Sequence, residues 1–251
     1  MRSHKKRIVL VGASSLIAEH CARLWAKNIQ PDFVLLGRNT DKLQSISQDL
    51  QVRSPESQVE ITCLDFTNAQ AINDVVATIF QAGPVDIALI AHGTLPNQYE
   101  CQDNLTLNQD ALIINGVSPA LFAEAFARHM ETKDHGSLGI ISSVAGDRGR
   151  KSNYIYGSAK GLLSRYAQGL QHRLANTKVR VSLIKPGPTD TPMTTHLKST
   201  GTKLSSANEV AQCIINGMEK GESVIYAPKK WALIMMIIRH LPHFIFNKMN
   251  I

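Results

Sequence analysis

The chain predicts a doubly wound α/β fold with a parallel sheet flanked by helices, and two observations carry that assignment. Short apolar runs of strand length alternate with longer helical patterns almost to the end of the chain. The short runs are β-branched and apolar throughout instead of alternating, as strands covered on both faces must be. At 251 residues, with no Pro/Gly/Ser-rich or repetitive stretch, the chain can form one sizeable core and shows no internal linker. Ligands of such sheets bind at the carboxyl ends of the strands, near the switch in strand order, so the residues there are read one by one.

The first strand, 7–11, follows Arg2, Lys5, Lys6 and Arg7, which resembles the start of a signal peptide. Gly12 interrupts the apolar run after four residues and Glu19, His20 and Arg23 follow, so the segment reads as a strand entering a turn. A helix at 15–28 opens there, with Ser14 or Ser15 as N-cap. Gly12 lets backbone amides approach a pyrophosphate at the positive helix end, although Leu16 and Ala18 stand where a dinucleotide fingerprint often has further glycines. The second strand, 33–36, runs into Gly37-Arg38-Asn39 and a helix at 39–51. An acidic residue at this point would bond the ribose hydroxyls of NAD; Arg38 suits the 2′-phosphate of NADP, or is a solvated loop cation. The third strand, 59–64, ends at Asp65, which contacts an adenine edge or caps the helix at 68–82.

The fourth strand, 85–91, leads into Ala91-His92-Gly93, where the glycine permits close approach of a cofactor and His92 reads as a packed loop residue. A helix at 107–131 and a fifth strand at 137–142 follow, then a helix at 154–176. That helix carries Tyr156-Gly-Ser-Ala-Lys160, and residues four apart share one face, so phenol and ammonium point the same way. A free phenol has a pKa near ~10, and a cation beside it favours the phenolate. A hydroxyl from Ser143 could steady a carbonyl oxygen facing that phenol, an arrangement suited to proton transfer to or from a carbonyl or alcohol oxygen. Alone the spacing is weak, because any long helix can carry a solvated Tyr and Lys four apart. Strands at 179–184 and 223–226, with a helix at 206–219 between them, complete the pattern.

Net charge is +7, from 27 Lys and Arg against 20 Asp and Glu, which fits an anionic cofactor or an anionic lipid surface. Nucleic acid is disfavoured, because the basic residues are dispersed and no aromatic-basic motif appears. Cys21, Cys63, Cys101 and Cys213 have neither metal-ligand nor disulfide-framework spacing, which makes a reducing cytoplasm the expectation. The nine His are scattered, and no metal site is expected.

With these parts in order, the chain resembles the short-chain dehydrogenase/reductase family over nearly its whole length. The resemblance rests on the Gly12–Ala18 turn, Asp65, Asn115, Ile141-Ser142-Ser143, Tyr156-x-x-x-Lys160 and Pro186-Gly187-Pro-Thr189-Asp-Thr191. It implies a Rossmann-like sheet of seven strands and hydride transfer to or from nicotinamide, with NADPH/NADP+ preferred over NADH. Tyr156 is then the general acid, Lys160 lowers its pKa and holds the nicotinamide ribose, Ser143 bonds the substrate oxygen, and Asn115 supports a proton-relay water. The cofactor would also meet Gly12, Ser14, Ser15 and Ile17, Arg38 and Asp65, Ala91 and Gly93, and Pro186, Gly187, Thr189 and Thr191. The family's sheet-stabilising Asn is missing, because Ala91-His92-Gly93 stands in place of Asn-Ala-Gly.

The expected organisation is a Rossmann-like domain at 1–228 with an apolar-basic C-terminal extension at 229–251 in the same structural unit. In that tail the eight residues from Trp231 to Ile238 are apolar and flanked by Lys229, Lys230, Arg239 and Lys248. They fall short of the ~20 residues that span a bilayer. Contact with a membrane surface, a subunit interface and a cap on the substrate cleft all fit. The segment 192–205, where the family places its substrate lid, is polar and small. The glycine-turn substitutions, the 92–96 stretch and the tail together resemble a subgroup related to decaprenylphosphoryl-ribose 2-keto reductases. That implies a carbonyl or alcohol substrate linked to a lipid, a homodimer or homotetramer, and a cytoplasmic protein peripheral on the inner face of the membrane. The alternatives are a soluble ketone or 3-oxoacyl-thioester reductase, and a non-catalytic cofactor-binding scaffold.

Overall fold

In the computed structural model, residues 5–195, 201 and 203–249 are described. The first half of the fold runs β1 (Arg7–Val11), α1 (Leu16–Ile29), β2 (Asp32–Gly37), α2 (Thr40–Arg53), β3 (Val59–Cys63), α3 (Ala69–Ala82) and β4 (Ile87–Ile90). Then come α4 (Gln98–Asp103), α5 (Leu105–Leu112), α6 (Ser118–Lys133), β5 (Ser137–Ile141) and α7 (Tyr154–Arg173). The last part is β6 (Arg180–Pro186), β7 (Thr189–Asp190), β8 (Ser205–Ser206), α8 (Ala207–Glu219), β9 (Val224–Ala227), α9 (Lys230–His240) and α10 (His243–Phe246).

Seven strands form one sheet in the order β3-β2-β1-β4-β5-β6-β9, and every neighbouring pair is parallel. Chain order reverses between β1 and β4, so a crevice opens at their carboxyl ends. One face of the sheet packs on α1, α2 and α8 through Trp25, Leu43 and Ile214; the other packs on α3, α6 and α7 through Val76, Phe122 and Leu163. Each such side chain contributes ~1.5–3 kcal/mol on leaving water. Helix starts are chemically marked: Asn39 accepts from Lys42 N at 2.9 Å and Asn68 from Ala71 N at 3.0 Å, each satisfying an amide that the first turn leaves free.

The helix expected at 107–131 is longer and interrupted. A π-helical turn at Ile113–Val117 separates α5 from α6. Pro119, in the first turn of α6, has no N–H to offer the Asn115 carbonyl four residues back, and the widened turn absorbs that lost bond.

The expectation of an apolar C-terminal tail is corrected. The long apolar helical stretch lies mid-chain, at Leu105–Lys133, and 61% of its most apolar window is buried inside the protein. After β9 the chain instead folds back as α9 and α10 onto the loop that follows β5. Met235 is fully buried, and Arg148 Nη1 donates to the carbonyls of Ile238 at 2.5 Å and Leu241 at 2.7 Å. The same guanidinium stacks 3.8 Å from the Phe246 ring centre. A free carbonyl end and an aromatic face, both met by one cation, hold this segment in place.

Candidate active site

A cleft of about 880 Å³ runs along the carboxyl ends of the strands. Gly12, Ser14, Ser15, Ile17, Arg38, Ala91, Gly93, Ser143, Tyr156, Lys160, Pro186, Gly187, Thr189 and Thr191 all line it, although they come from distant parts of the chain. Two expected residues do not. Asp65 is turned to its own loop, where Oδ1 accepts from the Thr67 amide and hydroxyl, both at 2.8 Å, and the cap of α3 is Asn68 instead. Asn115 lies fully buried behind the wall.

At one end of the cleft the backbone of Gly12 turns at φ +79°, and a Cβ there would meet His92 Cβ at 2.6 Å. Both the positive φ and the contact exclude a side chain. Ser15 occupies the N-cap of α1, yet its hydroxyl makes no capping bond, so the amides of the first helical turn face the cleft unsatisfied. Leu16 also lines this wall instead of pointing away from it. Arg38 is exposed at the end of β2 with no carboxylate at ion-pair distance among the described residues, and Lys42 stands in the same wall.

At the other end stand Ser143, Tyr156 and Lys160. Ser143 caps a 3-10 turn at Val144–Asp147, accepting from Ala145 N at 3.1 Å, and its hydroxyl is hydrogen-bonded to the Tyr156 phenol. Burial pushes that phenol up to about 12, against the smaller opposing pull of the Ser143 bond. The direction is opposite to the one expected from the Tyr-Lys spacing. Lys160 is 2% exposed; its Nζ donates to the Ile141 carbonyl at 3.2 Å and lies 5.8 Å from the Tyr156 ring centre. At that separation desolvation of the phenol outweighs the cation. Burial likewise brings the Lys160 ammonium down to about 8.

Asn115, on the π turn, bonds the loop behind this group. Its Oδ1 accepts from Thr94 N at 2.8 Å, and its Nδ2 donates to the Ala111 carbonyl at 2.9 Å and Thr94 Oγ1 at 3.3 Å. A Cβ on Gly93 would stand 2.8 Å from Asn115 Oδ1 and 3.5 Å from Lys160 Nζ, so that glycine is required by the approach of both. His92 is packed edge-on to Phe66 and Phe122, and burial holds it neutral by lowering its pKa to about 3. Ser118 Oγ donates to the Phe66 carbonyl at 2.5 Å, so His92 Nε2 is the donor in the 2.9 Å contact with Ser118 Oγ.

Thr189 Oγ1 donates to the Gly187 carbonyl at 2.9 Å. Trp231 of α9 packs against Gly187, where a Cβ would meet its Nε1 at 1.9 Å. Neither this contact nor the presence of Arg150 and Asn153 in the wall follows from the sequence patterns. The expected lid, 192–205, falls partly outside the described residues at 196–200 and 202, as does Arg2 at the N-terminus.

The residues present fit a dinucleotide cofactor. A positive-φ glycine, an uncapped helix start and an exposed guanidinium at the end of β2 are the donor set that an anionic nucleotide needs. A short chain dehydrogenase family model matches residues 6–201. An uncharacterized oxidoreductase of Mycobacterium tuberculosis is 31% identical over 246 residues, 96% of each chain. Among solved structures, a short-chain dehydrogenase from Sphingobium yanoikuyae in complex with NADPH superposes with a TM-score of 0.82 at 20% identity, covering 95% of this chain and 97% of that one. The bulky-bulky ketone specific alcohol dehydrogenase from Comamonas testosteroni superposes with a TM-score of 0.80 at 19% identity, covering 96% of each.

Proposed function

This chain belongs to the short-chain dehydrogenase family, oxidoreductases of carbonyl/alcohol pairs, and from that premise we propose that it is an NADPH-dependent reductase converting a ketone to a secondary alcohol. The observation that carries the reading is the convergence of Ser143, Tyr156 and Lys160 at one end of the cleft, with Asn115 bonded behind them. The NADPH bound to the Sphingobium relative supports the cofactor, as does Arg38 at the site of the 2′-phosphate. In this reading Gly12, Ser14, Ser15 and Ile17 hold the pyrophosphate, Ala91 and Gly93 line the ribose side, and Pro186, Gly187, Thr189 and Thr191 hold the carboxamide. When bound, NADPH supplies the hydride.

The chain's own residues supply the proton and the charge. A phenol pushed up to about 12 is fully protonated at neutral pH, the state a general acid needs at the start of reduction. In this reading the Ser143 hydroxyl and the Tyr156 O–H both donate to the substrate oxygen when it is bound; as that oxygen gains charge, the phenol proton moves to it. The phenolate left behind is stabilised by the Lys160 ammonium in a site sheltered from water, where such an interaction is worth most. Asn115 positions the Lys160 end of the site through Thr94 and Gly93, and in this reading also holds a water that returns a proton from solvent.

We further propose that the ketone is a keto-sugar linked to a lipid. Leu233, Met236, Ile237 and Phe244 are each at least half exposed on α9 and α10, and Lys229, Lys230, Arg239 and Lys248 lie on the same segment. That combination suits a protein lodged on the cytoplasmic face of an anionic membrane, as a homodimer or homotetramer. The test is NADPH oxidation with a polyprenyl-phosphoryl keto-sugar in mild detergent, against water-soluble ketones, with Tyr156→Phe as blank. Turnover of the lipid-linked compound that disappears in Tyr156→Phe is the expected result. Turnover of soluble ketones alone removes the lipid, and turnover that survives Tyr156→Phe removes the mechanism.

A further inference from the structure

The wall beside Tyr156 holds a largely buried cation with no ion-pair partner among the described residues. Arg150 follows the 3-10 turn after Ser143 and lines the cleft together with Asn153. Its Nε is out of water without an acceptor, and among the described residues its nearest polar contact is Nη2 to Met235 Sδ at 3.9 Å. Among the described residues no carboxylate lies at ion-pair distance from it. Asp147, three residues earlier, is already engaged through both oxygens, one by the Lys185 ammonium and the other by the Tyr226 hydroxyl at 2.8 Å. Lys185 and Asp147 are 6% and 4% exposed, so that ion pair is closed to solvent, and the Asp147 charge reaches Arg150 without bonding to it.

Two further observations bear on the ligand. Asn153 Oδ1, in the same wall, is buried without a donor. Arg150 also lines a second pocket of about 340 Å³ on its far side, bounded by Gly149, Lys151, Tyr154, Phe246 and Met249. A buried donor and a buried acceptor left open in a binding wall mark where a ligand supplies their partners. A guanidinium fork takes a planar or tetrahedral oxyanion through two hydrogen bonds. A phosphate ester offers such an oxyanion, and as a diester it keeps its charge while the molecule continues, here toward the second pocket.

We propose that the substrate carries a phosphate ester and that Arg150 is the specificity-determining residue that binds it, with Asn153 accepting from a neighbouring substrate hydroxyl. This rests on the reductase reading only for which molecule is bound, and the anion site can be tested without turnover. Protein saturated with NADP+, so that Arg38 is occupied, is titrated with phenyl phosphate by calorimetry. Arg150→Gln weakens that binding about 10- to 100-fold and Arg150→Lys by less, while NADPH affinity stays within about twofold in both. In turnover, the preference for dihydroxyacetone phosphate over dihydroxyacetone falls by a similar factor in Arg150→Gln, mainly through KM. A farnesyl-phosphoryl keto-pentose in mild detergent is assayed beside them. A larger loss there than with the soluble phosphate identifies a lipid headgroup, and an equal loss identifies a free phosphate; both support the site. Phenyl phosphate binding unchanged in Arg150→Gln overturns the proposal, even if Tyr156-dependent reduction is intact. Phosphate binding lost in Arg150→Gln, with no ketone reduced by the wild type, leaves the anion site standing and removes the reductase reading.

Discussion

Burial sets the chemistry of single groups in this cleft, and it acts on Tyr156 and Lys160 in opposite directions. The phenol is held protonated, near 12, while the ammonium is brought down to about 8. Below pH ~8 Lys160 carries the charge that stabilises the departing phenolate; above it the charge is lost. Reductase kcat is therefore expected to fall as pH rises through about 8, and a kcat that stays level to pH ~10 would contradict this. Tyr156→Phe removes the proton donor and should lower turnover about 100- to 10,000-fold with NADPH affinity unchanged, measured by single-turnover kinetics and fluorescence titration. Arg38 faces the other end of the cleft unpaired by any carboxylate among the described residues. Arg38→Ala should weaken NADPH binding about 10- to 100-fold and leave NADH within twofold. Equal losses for both cofactors would show that Arg38 does not meet the 2′-phosphate.

Elements place these groups through close backbone contacts. The π turn before α6 brings Asn115 against the 91–94 loop, and Gly12 and Gly93 are the points where that loop has no room for a side chain. His92 occupies the middle of the loop, wedged between Phe66 and Phe122 and bonded to Ser118. Its pKa falls from 6.5 to about 3 on folding. The folded state thus binds fewer protons than the unfolded state below pH 6.5. Its contribution is present above that pH and is lost as pH falls toward 3, by ~1.4 kcal/mol per unit for one such group. Urea unfolding of His92→Asn should show a shallower loss of stability between pH 6 and 4 than wild type, at the pH spacing that linkage defines. Identical slopes would mean that other groups govern acid unfolding.

Across the whole molecule, the last two helices pack behind the cleft, against residues that line it. Trp231 covers Gly187, Met235 meets Arg150, and Arg148 ties the end of α9 to the turn after Ser143. The catalytic loop and the C-terminus are therefore mechanically one piece. Arg148→Ala removes two charge-assisted bonds and the stacking on Phe246, which should cost ~2–4 kcal/mol. Limited proteolysis should then cut within 230–249 sooner than in wild type, and ketone KM should rise. Unchanged cleavage would show that the apolar contacts of Trp231 and Met235 suffice to hold the segment.

The alternation of apolar strands and amphipathic helices was legible along the chain because both periods are local properties of the backbone. The strand at 7–11 and the helix at 68–82 lie within a residue of β1 and α3 for that reason. The order of Gly12, Ser143, Tyr156 and Lys160 was likewise readable, since each sits at a strand end or on one helix face. Other features depend on contacts between segments far apart in sequence. The π turn answers a proline within the helix, but its use is to reach Thr94. Asp65 turns to Thr67 instead of the cleft, the Tyr156 phenol rises instead of falling, and the long apolar stretch lies mid-chain instead of at the C-terminus. Arg150 and Trp231 carry no local signature, since one is a loop cation and the other a helix tryptophan until the fold brings one into the cleft wall and the other against Gly187. Desolvation and long-range packing depend on what closes over a group, and only the assembled chain decides that.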